Sequence, residues 1–152
     1  MDKKPILYSF RRCPYAMRAR IFILLCEIEV QLREVLLRDI PIEMINISPK
    51  ATVPVLQLND GTVLEESLDI MNWATDYNDK YNLKKSKLNN INIHNEILNK
   101  FDNEFKFHLD RYKYNNRYDL SEGVKEKDTH RDEALKILYI VEKMFTNNNL
   151  WL

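Results

Sequence analysis

Apolar and polar positions along the chain change period several times. Pro5 to Phe10 is a short apolar run and reads as a strand. From Pro14 to about Glu27 the apolar positions Met17, Ile21, Leu24, Leu25 and Ile28 recur at helical spacing, which predicts a helix with those five turned inward. Gln31 to Leu36 then mixes polar and apolar residues, with Leu32, Val35 and Leu36 prominent, and reads as a second strand. Strand, helix and strand in succession favour two parallel strands joined by a right-handed crossover. Pro41 and Pro49 bracket Ile42 to Ile47, leaving room for a short irregular helix. Val53 to Leu58 and Thr62 to Leu64 flank Asn59-Asp60-Gly61 and read as a hairpin. Ser67 is placed to cap a helix running to about Tyr77, with Leu68, Met71 and Ala74 or Trp73 inward.

Beyond this point the character changes. Asn78 to Lys87 is polar and reads as a linker. Leu88, Ile91, Leu98, Phe101, Phe105, Leu109 and Tyr112 then form one helical face at spacings of three, four and seven. Lys113 to Lys127 is polar, contains Gly123 and reads as a loop. A last helix is expected from Thr129 to about Phe145, opened by a capping-box-like Thr129 and Asp132, with Ala134, Leu135, Leu138, Val141 and Phe145 inward. The expected fold class is an α/β domain of order β-α-β-α-β-β-α over residues 1–78, followed by an all-α part over residues 79–152.

Bulk composition narrows the function classes. Hydrophobic residues make up 45% of 152, enough for a packed core. Lys plus Arg and Asp plus Glu are 23 each, so no net field draws the chain to nucleic acid or a membrane surface. Two glycines supply few positive-φ turns, which argues against an all-β fold. The N-terminus has no apolar run behind its charges and no 18-residue apolar stretch follows, so neither a signal peptide nor a membrane span is expected. Asn46-Ile47-Ser48 matches a glycosylation acceptor, which carries little weight without secretion. Cys13 and Cys26 are too few for a disulfide scaffold. On one helix they lie roughly 20 Å apart, too far to bond to each other, so a reducing cytoplasmic compartment is expected. His94, His108 and His130 lack metal-ligand spacing and no metal is expected.

The chemistry centres on Arg11-Arg12-Cys13-Pro14-Tyr15-Ala16. Cys13 falls at a strand-to-helix turn, where the first helical N–H groups have no internal partner and the aligned peptide dipoles favour an anion. A thiolate is favoured there over the thiol, and Arg11 and Arg12 push the same way. Pro14 suits the first helical position. The plainer alternative is a small buried apolar cysteine.

Three motifs, Cys13-Pro14-Tyr15-Ala16, Thr52-Val53-Pro54-Val55-Leu56 and Glu65-Glu66-Ser67-Leu68-Asp69-Ile70, stand in an order and at distances that resemble the glutathione S-transferase family. The likeness is to its cysteine-bearing, omega-like and glutaredoxin-like branches, and Leu109-Asp110-Arg111-Tyr112-Lys113-Tyr114 looks like a stretch of bacterial members. The resemblance implies a thioredoxin-like N-terminal domain that binds glutathione as cosubstrate. It implies a cis bond before Pro54 that lets the Val53 backbone pair with the tripeptide like an added strand. It gives Ser67 and the adjoining helix N–H groups to the γ-glutamyl carboxylate, and Glu66 to the ammonium. Arg38 or Lys50 is expected at the glycyl carboxylate, and Tyr15 beside the thiol. Each of these also has an ordinary structural reading: edge-strand proline, N-cap, surface charge or core ring. Ala16 stands where dithiol glutaredoxins carry a second cysteine, so a monothiol cycle through Cys13 is implied. Tyr8 or Ser9 would invite the tyrosine- or serine-type conjugating chemistry instead. Family members continue through further helices, so the resemblance implies a shortened member with a partial all-α domain. Its second substrate, a thiol, disulfide or electrophile, is open, as is homodimerisation. The competing reading is a non-catalytic transferase-like interaction module or truncated remnant.

Overall fold

The computed structural model describes residues 3–118 and 127–147. Two compact units emerge, residues 1–86 and 87–152. In the first, strands β1 (Ile6–Ser9), β2 (Gln31–Glu34), β3 (Val55–Gln57) and β4 (Val63–Leu64) form one sheet in the order β2-β1-β3-β4. β1 pairs parallel with β2 and antiparallel with β3, and β3 pairs antiparallel with β4. Helices α1 (Pro14–Leu25), α2 (Ile42–Ile47) and α3 (Ser67–Tyr77) complete the β-α-β-α-β-β-α order, a thioredoxin-like domain.

Strand alternation sorts the core into two layers. Leu7, Leu56 and Leu64 point to one face of the sheet, where they pack with Ala19 and Ile23 of α1 and Ile70 and Trp73 of α3. Ile6, Tyr8, Val55 and Val63 point to the other, where they meet Met44 and Ile47 of α2. β1 is buried on both sides, and residues 9–13 therefore leave the sheet at its centre.

Helix α1 corrects its expected register. The buried residues are Ala16, Ala19 and Ile23, with Cys26 following at the cap, whereas Met17, Ile21 and Leu24 are exposed. The helix is apolar almost all round, so periodicity alone could not select a face. The alanines won because their small side chains let the backbone come close to the sheet. Ser67 is the first helical residue of α3, not its cap; Glu66 occupies the cap position. β2 stops at Glu34, short of the expected Leu36, and Leu36 instead bridges Asp39 in a turn.

The second unit is helical. Helix α4 (Leu83–Asn89) occupies part of the expected linker, and the division between units falls inside it. Helices α5 (Ile91–Asn99) and α6 (Lys106–Lys113) are joined without a break by a six-residue π-helical segment, Lys100–Phe105. A 3₁₀ turn follows at Asn115–Arg117. Helix α7 (Lys127–Asn147) packs against α6 and the π segment. Its buried face is His130, Ala134, Ile137 and Val141; Leu135 and Leu138, expected inward, are exposed. Thr129 lies inside this helix, and Asp132 pairs with Arg131, so the expected capping box does not form. Most of the expected loop and the terminal Leu150-Trp151-Leu152 lie outside the described residues. Among the described residues, no helix is long and apolar enough to cross a membrane.

Candidate functional site

β1 ends at Ser9, and α1 starts at Pro14 after four intervening residues. Cys13 holds the N-cap position in extended conformation (φ −78°, ψ 120°), with Pro14 at the first helical position. The Cys13 amide donates to the Phe10 carbonyl at 3.1 Å, and the Cys13 carbonyl accepts from Met17 at 2.9 Å. These bonds close the turn and start the helix at the sulfur. Cys13 is half-buried rather than sealed in the core. Its Sγ donates to the Val53 carbonyl at 3.6 Å, and the Val53–Pro54 peptide bond is cis. A residue forty positions away thus places a backbone carbonyl against the thiol. The segment that delivers Val53 carries Ala51 at φ +54°, a left-handed conformation uncommon for alanine.

The start of α3 carries the third motif. Ser67 is buried, and its Oγ accepts from Arg18 Nε at 2.9 Å. The Arg18 guanidinium also lies over the Tyr15 ring, 4.9 Å from its centroid. Glu66 is exposed and pairs with Lys50, Oε1 to Nζ 2.9 Å. The hydrogen bond to Glu66, reinforced by its charge, pushes the Lys50 ammonium up, so it stays protonated. Ser48, fully buried, donates to Glu65 at 2.6 Å and anchors the loop from the other side. Cys13 with Val53, Tyr15 with Ser67 through Arg18, and Lys50 with Glu66 are thereby tied into three short sets of contact. Arg38 is exposed in the turn after β2, outside all three sets.

Tyr8 and Ser9 are occupied elsewhere. The Tyr8 ring lies in the α2-side core and its hydroxyl accepts from Arg33 at 3.1 Å. Ser9 is fully buried and its hydroxyl accepts from Arg20. Arg18 and Arg20 are the residues that motif reading passed over. The signal was there: two cations on an otherwise apolar helix, a turn or two beyond the cysteine. No group of three or more potential ligands that could hold a metal ion exists among the described residues.

Residues 7–79 match the family model of the glutathione S-transferase N-terminal domain. Solved structures share the fold. Glutathione transferase Omega 3C from Trametes versicolor is 19% identical with a TM-score of 0.71, covering 91% of this chain and 60% of that one. A delta-class glutathione transferase from Nilaparvata lugens is 18% identical with a TM-score of 0.76, covering 93% of this chain and 66% of that one. A glutathione transferase homolog from sulfitobacter, solved with bound glutathione, is 16% identical with a TM-score of 0.63, covering 94% and 67%. The chain thus spans 60% to 67% of the length of these three proteins. No curated protein sequence matches it.

Proposed function

We propose that this chain, whose first unit matches a glutathione S-transferase N-terminal domain, is a glutathione-dependent thiol transferase of the omega-like, cysteine type, with Cys13 as its nucleophile. One observation carries the reading: a half-exposed cysteine at a helix start, 3.6 Å from the carbonyl of Val53 at the cis bond to Pro54, both inside the residues that match the family model. The helix start sets unpaired backbone N–H groups beside that sulfur. The Val53 backbone offers a strand-like edge to a bound peptide. The start of α3, with Ser67 and Arg18, suits a carboxylate. Glu66 and Lys50, already paired, each suit one charged end of glutathione, its ammonium and its glycyl carboxylate. Arg38, outside the network, is the weaker of the two cationic choices.

The reaction closes with a single protein sulfur. Cys13 thiolate attacks the glutathione sulfur of a mixed disulfide; the Cys13–glutathione bond forms as the old disulfide breaks and the substrate leaves as a thiolate. A second glutathione thiolate attacks the bound glutathione's sulfur, which restores Cys13 and releases oxidised glutathione. Ala16 leaves no resolving thiol at the glutaredoxin position, so the protein disulfide is never internal.

The test is turnover of glutathione and a small mixed disulfide by the full chain beside Cys13→Ser. Activity in the parent that falls to background in Cys13→Ser is expected. Equal rates, or none in either, remove the enzyme. Retention of both on immobilised glutathione without turnover would leave the non-catalytic binding module.

A further inference from the structure

Arg20 sits on α1 about two turns beyond Cys13, on a helix whose other sheet-facing residues are apolar. Its guanidinium reaches back over the β1–α1 turn. Nη1 donates to the hydroxyl of fully buried Ser9 and to the Phe10 carbonyl at 3.3 Å; Nη2 donates to the Arg11 carbonyl at 3.0 Å. The Phe10 carbonyl is the same oxygen that receives the Cys13 amide. From the sheet side, the Arg11 amide donates to Glu34 of β2 at 2.8 Å. Consecutive residues 9, 10 and 11 are therefore each gripped by one planar fork, and the last is held from both directions.

We propose that Arg20 is a positioning residue for the Cys13 chemistry: its fork ties the Ser9 hydroxyl to the Phe10 and Arg11 carbonyls so that Cys13 stays at the head of α1, facing Val53. This rests on the reading of Cys13 as nucleophile. Arg20 touches no substrate; it acts through the Phe10 carbonyl and the turn. The guanidinium's fixed donor geometry makes the grip, and lysine, a single point charge, cannot reproduce it.

The experiment follows Cys13 alkylation by iodoacetamide from pH 5 to 9, and hydrogen exchange of the Cys13 amide, in the full chain. Arg20→Gln, Arg20→Lys and Arg12→Gln are compared with the parent, each scaled to its folded fraction by circular dichroism. In Arg20→Gln, alkylation at pH 7 slows and the Cys13 amide exchanges faster, because the turn that holds the sulfur loses its guanidinium fork. Arg20→Lys recovers only part of each loss, and Arg12→Gln, which removes a turn residue's charge and its stacking on the Phe10 ring but none of the fork's hydrogen bonds, leaves the amide unchanged. A folded Arg20→Gln with the parent's profile and exchange overturns the inference while Cys13 itself stands. Full recovery by Arg20→Lys overturns it too, since charge alone would then suffice, and this arm decides the matter if Arg20→Gln does not fold. A parent protein alkylated no faster than free glutathione at the same pH strikes the nucleophile instead; the exchange data still report the clamp separately.

Discussion

A thiol's chemistry follows from what surrounds its sulfur, and the two cysteines meet opposite surroundings. Cys13 is half-exposed at a helix start. Cys26 is 1% exposed at the other end of the same helix, where burial, helped by the charge of Asp79, pushes its thiol up. A raised thiol stays protonated through the neutral range, so Cys26 is inert on two counts. Iodoacetamide at pH 7.5 is expected to modify one sulfur in the native chain, the one absent from Cys13→Ser, and to reach Cys26 only after denaturation. Two equivalents in the native state would contradict this. Cys13 was legible from its immediate neighbours because helix-end electrostatics is local. Arg20 and Arg18 were not, because their value depends on Phe10 O and Ser67 Oγ, which the fold brings to them. The Lys50–Glu66 pair was half legible: both residues stood out as ligand candidates, but not that each holds the other.

Among the elements, α1 shows what holds its far end. The Glu27 amide donates to Leu24 O and the Ile28 amide to Ile23 O, both at 3.0 Å, the paired bonds of a Schellman end. That motif places one residue in the left-handed region, and here it is Glu27 at φ +53°. An L-residue there costs about 1–2 kcal/mol, which glycine avoids. Glu27→Gly also removes the exposed ion pair with Lys80, which water screens and which therefore offsets little of the gain. The net expectation is about 1 kcal/mol of added stability, a rise of roughly 2–5 °C in Tm by calorimetry; a fall would mean that the Lys80 pair outweighs the backbone. The ends of α1 were readable from sequence at the start, where Pro14 marks the first turn, and not at the finish, where no glycine announces the turn. The inward face was misread because leucine and isoleucine surround the helix and only the sheet's closeness selects the alanines. β1 and β3, by contrast, could be read directly as short apolar runs.

At the level of the whole molecule, pH dependence gathers where charge is buried. His94, on α5, is held below the ordinary histidine range, first by burial and then by Lys87. A folded-state value below the unfolded one means the unfolded chain takes up the proton first. His94 therefore costs nothing above about pH 6.5 and increasingly destabilises the fold as pH falls below it. His94→Gln is expected to flatten the stability profile between pH 6.5 and 5 in urea titrations; an unchanged acid limb would refute it. The same long-range view separates the units. The α/β unit has a sheet whose two faces are both covered, by α1 and α3 on one side and α2 on the other. The helical unit has the face of α7 turned to α6 and the π segment.

By itself, the sequence determined the order of elements, the hairpin, the change from a mixed to a helical part, and the cysteine–proline start of α1. All of these rest on interactions within a few residues: pleat alternation, helical period, turn chemistry and the open N–H groups of a helix end. Only the tertiary structure decided which face of α1 turns inward, that Ser67 opens α3 and accepts from Arg18, that Val53 meets Cys13, and that Arg20 grips the turn before it. Those contacts join residues 11, 40 and 49 positions apart. The chain between such partners has no local preference for bringing them together; burial of the shared sheet does so.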